Sequence, residues 1–88
     1  MSHRLLRLRP EAVLFREVEG EVVGVDVAGG EYFAVNPSGA VLWPALAEGT
    51  TLEDLAERLV ARFRIGTEQA RADAAAFVAA LDGRGLLA

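Results

Sequence analysis

The stretch GGEYFAVNPSGAVLW (Gly29–Trp43) marks the point where the chain changes from strand to helix. Gly29–Gly30 predicts a two-residue hairpin, because both glycines can take positive φ. Glu31–Val35 is a short apolar segment that predicts the last strand of a sheet. Asn36 is a good helix N-cap, and Pro37 suits the first helical position, where its missing N–H costs nothing. This stretch therefore predicts a final strand followed directly by a helix.

The residues before this stretch read as β-structure. Val13–Val18 and Glu21–Ala28 are predicted strands, and Glu19–Glu21 is a plausible tight turn between them. The second strand alternates with period 2, which predicts a sheet with one buried face; its alternating valines are Val23, Val25 and Val27. Together with Glu31–Val35, these segments predict a three-stranded antiparallel meander.

The residues after it read as three helices. The first is predicted over Pro37–Ala47, with a kink or restart at Pro44, because an interior proline removes a hydrogen bond. The second is capped by Thr50 or Thr51, and the third covers Glu68–Asp82. Strands followed by helices predict an α+β fold, and this outline is that of a winged helix-turn-helix.

Length and composition set the limits on function. The 88 residues predict one domain, residues 1–88, and the 52% hydrophobic content suffices for one small core. Cysteine is absent and His3 is the sole histidine, so a metal cluster or a histidine-based catalytic pair is not expected. We predict no cofactor. The chain shows neither a membrane span nor a signal peptide, so a cytoplasmic location is expected.

Two kinds of site were weighed for chemistry. Four carboxylates around the first hairpin could form a cluster, but a solvated strand face explains them better; they are Glu17, Glu19, Glu21 and Asp26. The glycines form no phosphate-binding pattern. The sequence therefore predicts that the protein is not an enzyme.

DNA binding is the alternative function that the winged-helix outline suggests. The sequence has nine arginines, no lysine and 13 acidic residues. The formal net charge of −4 disfavours attraction to phosphates. The third helix mixes polar residues with both signs of charge, namely Glu68, Gln69, Arg71, Asp73, Asp82 and Arg84. No basic patch with interleaved aromatics is visible, so nucleic acid is not the expected partner.

The last strand is a candidate peptide-binding edge. Alternation places Phe33 and Val35 on the inner face and leaves Tyr32 as a surface aromatic. The strand contains neither Lys nor Pro, two residues that commonly protect a sheet edge against pairing. An unprotected edge suits capture of a peptide by strand addition. The candidate residues here are Glu31, Tyr32, Phe33, Ala34 and Val35.

A stripe of alanines on the third helix is the second candidate wall. Ala72, Ala75, Ala76 and Ala79 follow helical spacing and leave room for another backbone, although alanine is also simply the best helix former. Arg71 and Asp73 flank the stripe and are candidates for pairing with charges of the peptide. The stripe and the last strand together predict a shallow apolar groove.

Three segments in this order resemble the PqqD-like proteins. They are FAVNPSGAVLW (Phe33–Trp43), EGTTLEDLAERLVARF (Glu48–Phe63) and DAAAFVAALDGRGLLA (Asp73–Ala88), and the resemblance begins near Arg7. The chain departs from the family pattern at Val35, where leucine is usual, and at Pro44, which puts the regularity of the first helix in doubt. Order and spacing carry the resemblance more than any one motif.

The resemblance implies a RiPP recognition element, a domain that binds the leader of a ribosomally made precursor peptide. It implies a winged-helix-like fold in which Glu31–Val35 and Glu68–Asp82 hold the leader as an added strand. A free-standing chain of this size looks most like the recognition half of a split lasso-peptide system. Such a half is non-catalytic and presents the leader to a separate transglutaminase-like cysteine protease.

Overall fold

The computed structural model describes residues 4–88, so Ser2 and His3 lie outside the described residues. Three strands precede three helices: β1 (Val13–Val18), β2 (Glu21–Asp26), β3 (Glu31–Val35), α1 (Pro37–Glu48), α2 (Leu52–Phe63) and α3 (Thr67–Gly83). The strands form one antiparallel sheet in the order β1-β2-β3. The predicted α+β fold, with a three-stranded antiparallel sheet followed by three helices, is confirmed.

An aromatic row crosses the inner face of the sheet. Phe15 and Phe33 lie on either side of Gly24 in register, and both rings pack on Trp43 of α1, with centroids 5.4 and 6.0 Å away. Gly24 is required because a Cβ there would lie 2.6 Å from Cζ of Phe33. The absence of a side chain in the middle strand thus lets the outer strands place their rings on α1.

Two of the three valines of β2, Val23 and Val25, face the opposite way from the aromatic row. Val22, on the inner face with Gly24, is 1% exposed, whereas Val23 is 41% exposed. The period-2 pattern correctly predicts two distinct faces, but the alternating valines lie on the outer face. The rings that rest over Gly24 fill the inner face in their place.

The turn between β2 and β3 differs from the predicted Gly29–Gly30 hairpin. The loop covers residues 27–30, and only Gly30 has positive φ (70°). The Asp26 carboxylate accepts hydrogen bonds from the N–H groups of Ala28 (3.1 Å) and Gly29 (3.3 Å). This Asx-type turn begins the reversal earlier than the glycines do.

Helix α1 begins as predicted and continues further. The Asn36 Oδ1 accepts a hydrogen bond from the Gly39 N–H (2.7 Å), which caps the helix. The helix continues through Pro44, which is exposed, so the predicted restart is wrong. Its buried side chains, Leu42, Trp43 and Leu46, form the centre of the core.

Helices α2 and α3 pack against each other beside α1. The Thr51 hydroxyl accepts from the Asp54 N–H (3.2 Å) and caps α2. Helix α3 buries Ala70, Ala74 and Leu81. The chain ends are held together by a bridge between Leu8 and Leu87. Within residues 4–88, none of the helices has the length and hydropathy needed to cross a bilayer.

Candidate functional site

The turn between β1 and β2 sets which backbone groups of the sheet are paired. Glu19 (φ 51°) and Gly20 (φ 81°) both have positive φ, as in a type I′ turn, and Val18 lies opposite Glu21. Such a turn makes Val18 and Glu21 a hydrogen-bonded pair, and alternate positions along an antiparallel ladder repeat that pattern. The register of the whole sheet therefore determines the direction of each backbone group.

At β3 this register leaves every second residue unpaired at the sheet edge. Phe33 and Val35 direct their backbone groups towards β2, whereas Tyr32 and Ala34 direct theirs outwards. Within residues 4–88, the backbone of Glu31–Val35 makes no hydrogen bond outside the sheet. Two N–H and two C=O groups are thus available for another strand.

A groove lies beside this edge, between β3 and α3. Its first half is a cavity of about 210 Å³, which we call the strand subsite; it is lined by Phe33, Ala34, Val35, Asn36, Phe77, Ala80, Leu81 and Arg84. Its second half is a cavity of about 420 Å³ at the start of α1, which we call the helix subsite; it is lined by Asn36, Ser38, Gly39, Leu42, Leu59, Asp73, Ala76, Phe77 and Ala80. Because Asn36, Phe77 and Ala80 line both, the subsites form one continuous β3–α3 groove.

Gly39 makes the floor of this groove possible. A Cβ at position 39 would lie 2.5 Å from Cγ1 of Val35 and 2.6 Å from Cε1 of Phe77. The absence of that atom lets Phe77 lie on the first turn of α1, with its ring 6.5 Å from that of Trp43. The floor therefore rests on the same tryptophan that supports Phe33, which connects the groove to the core.

Opposite charges stand at the two ends of the groove. The guanidinium of Arg84 lies over the ring of Phe33, 5.4 Å from its centroid, in the strand subsite. Asp73 lines the helix subsite. The arrangement is an apolar channel with one cation and one anion at its ends, and its shape suits an extended ligand.

Within the described residues, no group of three His, Asp or Glu side chains is arranged to hold a metal ion. The carboxylates of the first hairpin, Glu17, Glu19 and Glu21, are exposed. Asp54 has a pKa below its ordinary value, because its carboxylate accepts hydrogen bonds from Arg58 and from Thr50. Asp54 lies in the first turn of α2, Thr50 precedes the helix and Arg58 follows one turn later, so these contacts stabilise the helix rather than form a site.

Residues 21–87 match the family of coenzyme PQQ synthesis protein D, PqqD. This chain belongs to the PqqD family. Two solved structures share the fold of this PqqD-like chain. TbiB1 in complex with the TbiA(beta) leader peptide is 26% identical, with a TM-score of 0.83, and the match covers 92% of this chain and 93% of that one.

The second structure is lasso peptide synthetase B1 complexed with the leader peptide. It is 28% identical, with a TM-score of 0.80 and coverage of 94% of this chain and 96% of that one. No curated protein matches the sequence. The family match and the two structures identify the chain as a PqqD-like RiPP recognition element.

The structure brings only part of the predicted site of this PqqD-like protein together. Glu31–Val35 form β3, with the side chain of Tyr32 80% exposed. On α3, Asp73 and Ala76 line the helix subsite. Phe33, Ala34 and Val35 line the strand subsite. Five of the predicted residues therefore line the β3–α3 groove, whereas Glu31 and Tyr32 line neither subsite.

The rest of the alanine stripe lies elsewhere on α3. Ala75 and Ala79 line a different cavity, of about 300 Å³, beside Arg4 and Leu6. Arg71 lies in a cavity against α2. Ala72 is exposed and, by helical spacing, lies opposite the buried face of the helix. The stripe as a whole therefore faces away from the core, and only its margin reaches the groove.

Sequence reasoning missed the residues that form most of the helical wall. Phe77 and Ala80 are not among the predicted site residues, and the sequence suggests Arg84 only as a possible DNA contact. With Asp73, these residues follow the spacing i, i+4, i+7 and i+11, which is one face of a helix. This face of α3 lies next to the buried face of the helix, whereas the alanine stripe lies opposite it. The spacing was therefore the sequence signal that could have identified the wall of the groove.

Proposed function

We propose that this protein is a non-catalytic adaptor that binds the leader of a ribosomally synthesised precursor peptide by strand addition to β3. One observation carries the proposal: the unpaired edge of β3 lies directly beside an apolar groove. The two solved relatives are bound to leader peptides, and one is lasso peptide synthetase B1, which favours a lasso-peptide precursor.

The expected ladder uses the open groups of Tyr32 and Ala34. An antiparallel leader strand would exchange up to four backbone hydrogen bonds with them, each contributing about 1 kcal/mol net. Alternate leader side chains would enter the groove and pack against Phe77 and Ala80, while the others would face outwards beside Tyr32. Register would come from the ladder, and selectivity from the groove.

Calorimetric titration with the leader of a short precursor peptide identified among the neighbouring reading frames tests the proposal. Ala80→Glu places a carboxylate in both subsites and is expected to weaken binding more than tenfold, because a charge would be desolvated against apolar anchors. Ala79→Glu is the matched control, since Ala79 is the adjacent exposed alanine but faces the other cavity. It is expected to leave the affinity unchanged.

The controls separate loss of binding from loss of folding. Both variants should keep the wild-type helical circular dichroism, because both positions are exposed on α3. Equal weakening by the two substitutions, or none from either, would place the peptide site outside the groove. Duplex DNA serves as the competing ligand, and a strongly salt-dependent DNA complex without leader binding would favour the winged-helix alternative.

Presentation of the leader to a separate transglutaminase-like cysteine protease completes the proposal. The expectation is that a protease encoded beside the gene removes the leader faster when this protein is present. Ala80→Glu should abolish that acceleration, whereas Ala79→Glu should retain it. If the protease removes the leader at the same rate with and without this protein, the protein binds the leader but does not present it.

A further inference from the structure

The β3–α3 groove carries an unpaired cation at one end. Arg84 lies over Phe33 in the strand subsite. Ion pairs within residues 4–88 join Arg9 to Glu11 and Arg58 to Asp54, so no carboxylate of the described chain neutralises Arg84. The strand subsite therefore carries one positive charge, that of Arg84, which has no ionic partner among the described residues.

The other end of the groove carries an unpaired anion. Asp73 lines the helix subsite and is exposed to solvent. It has no ionic partner within residues 4–88. Its polar neighbours in the subsite, Asn36 and Ser38, are uncharged. An extended ligand in the groove would thus meet a negative charge at one end and a positive charge at the other.

The distance between the charges limits the spacing in such a ligand. Asp73 lies on α3 and Arg84 is the C-cap of that helix, eleven positions later, which is about 16 Å of helical rise. An extended strand covers this length in about five residues, at about 3.3 Å each. Because only alternate side chains of a strand share a face, the two ligand charges must be separated by an even number of positions, about four or six.

The direction of the ligand follows from the relative direction of β3 and α3. Along β3, the chain runs from Phe33 in the strand subsite to Asn36 in the helix subsite, while α3 runs from Asp73 back to Arg84. A strand added antiparallel to β3 therefore passes Asp73 first and Arg84 later. The antiparallel arrangement continues the pattern of the sheet and is the more stable pairing per residue.

We propose that the bound leader segment carries a basic residue next to Asp73 and, four or six positions towards its C-terminus, an acidic residue next to Arg84. This inference rests on the proposed leader-binding function and specifies the chemistry of its ligand. The apolar floor supplies affinity, and the two charges fix the direction of the strand, since exposed ion pairs orient more than they stabilise.

Selection from a phage-displayed library of random decapeptides tests the charge order. Peptides are selected on the wild-type protein and counter-selected on Ala80→Glu, so that the survivors bind in the groove. The expected survivors carry Lys or Arg, followed four or six positions later by Asp or Glu. The double variant Asp73→Arg with Arg84→Glu should select the reverse order.

Titration of one selected decapeptide then measures how much the charge pair contributes to affinity. Replacing its acidic residue by the matching amide should lower affinity for the wild type about two- to fivefold and should leave affinity for Arg84→Gln unchanged. Groove-binding peptides without a charge order, or with an order that the double variant does not reverse, would overturn the inference and leave the proposed function intact. If no peptide survives the counter-selection, the proposed function itself fails.

Discussion

The two outer strands of the sheet have equally open edges but different sequences. Both β1 and β3 pair only with β2 among the described strands. The sequence of β1, VLFREV, places Arg16 and Glu17 in its second half, and Glu17 lies on the inner face opposite Val22. Charges at an edge, above all inward-facing ones, discourage strand addition. After Glu31, β3 contains no charge, so only its edge suits a new strand.

The edges also differ in what stands beside them. Helix α3 stands next to β3 and completes a groove with Phe77 and Ala80. On β1, Leu14 is 66% exposed and Phe15 is 45% exposed, so these side chains lie open to solvent. Unpaired backbone groups alone do not make a peptide site. A wall that receives the alternate side chains must accompany them.

The strongest test removes one outward N–H from each edge. In Ala34→Pro, the lost N–H faces away from β2, so the sheet keeps its ladder while an added strand loses a donor and meets the proline ring. Leader affinity measured by calorimetry should fall about a hundredfold. Glu17→Pro makes the same change at the edge of β1 and should leave the affinity within about twofold.

Melting temperatures provide the control for this pair, because both prolines should destabilise the sheet to a similar extent. If Glu17→Pro weakens leader binding as much as Ala34→Pro does, the two edges are equivalent and the assignment to β3 is wrong. N-methylation of alternate leader amides is the reciprocal test. Affinity should fall only when the methylated amides are those whose N–H groups face Tyr32 and Ala34.

Stability distinguishes the two edges by a smaller amount. Phe33 is partly buried between Gly24, Trp43 and the groove, while Phe15 is 45% exposed on the same tryptophan. Truncation of a buried phenylalanine costs about 3–5 kcal/mol, and partial exposure reduces this to about 2–3 kcal/mol for Phe33→Ala. Phe15→Ala should cost about 1–2 kcal/mol. Urea denaturation measures both, and a larger loss for Phe15 would contradict the inward role given to Phe33.

Local signals explain why the sequence alone predicts β3 and the helix order. Asn36 and Pro37 form a helix start that depends only on neighbouring residues, and the period-2 strands need no distant information. The orientation of α3 is different. Ala75, Ala76, Ala79 and Ala80 are chemically identical, so their pattern does not show which of them faces β3. That choice is made by Leu6 and Leu52, which lie on the other side of the helix.

The buried face of β2 escaped prediction for a related reason, although the sequence correctly places Phe33 and Val35 of β3 on the inner face. A period-2 pattern separates two faces but does not state which one is buried. The deciding contact joins Phe33 to Gly24, and it involves different strands and a missing side chain. Opposite charges at the ends of the groove are also invisible locally, because Arg84 meets Phe33 only through the fold.

The smallest effect concerns a region remote from both edges. Asp54 accepts hydrogen bonds from Arg58 (2.8 Å) and from the Thr50 hydroxyl (2.7 Å), and these contacts lower its pKa. Its stabilising contribution is therefore present at neutral pH and is lost as the pH falls below about 4, through the lowered folded-state pKa. Asp54→Asn removes that contribution at every pH.

We expect Asp54→Asn to lower the free energy of unfolding at pH 7 by about 0.5–1 kcal/mol, since the ion pair is half exposed and water screens it. The difference from wild type should shrink in urea denaturation as the pH falls below about 4 and vanish below the lowered pKa of Asp54. Leader affinity at pH 7 should stay unchanged, because α2 begins away from β3. A parallel loss of leader affinity would mean that binding at the β3 edge follows overall stability, and the contrast between the two edges would then need another explanation.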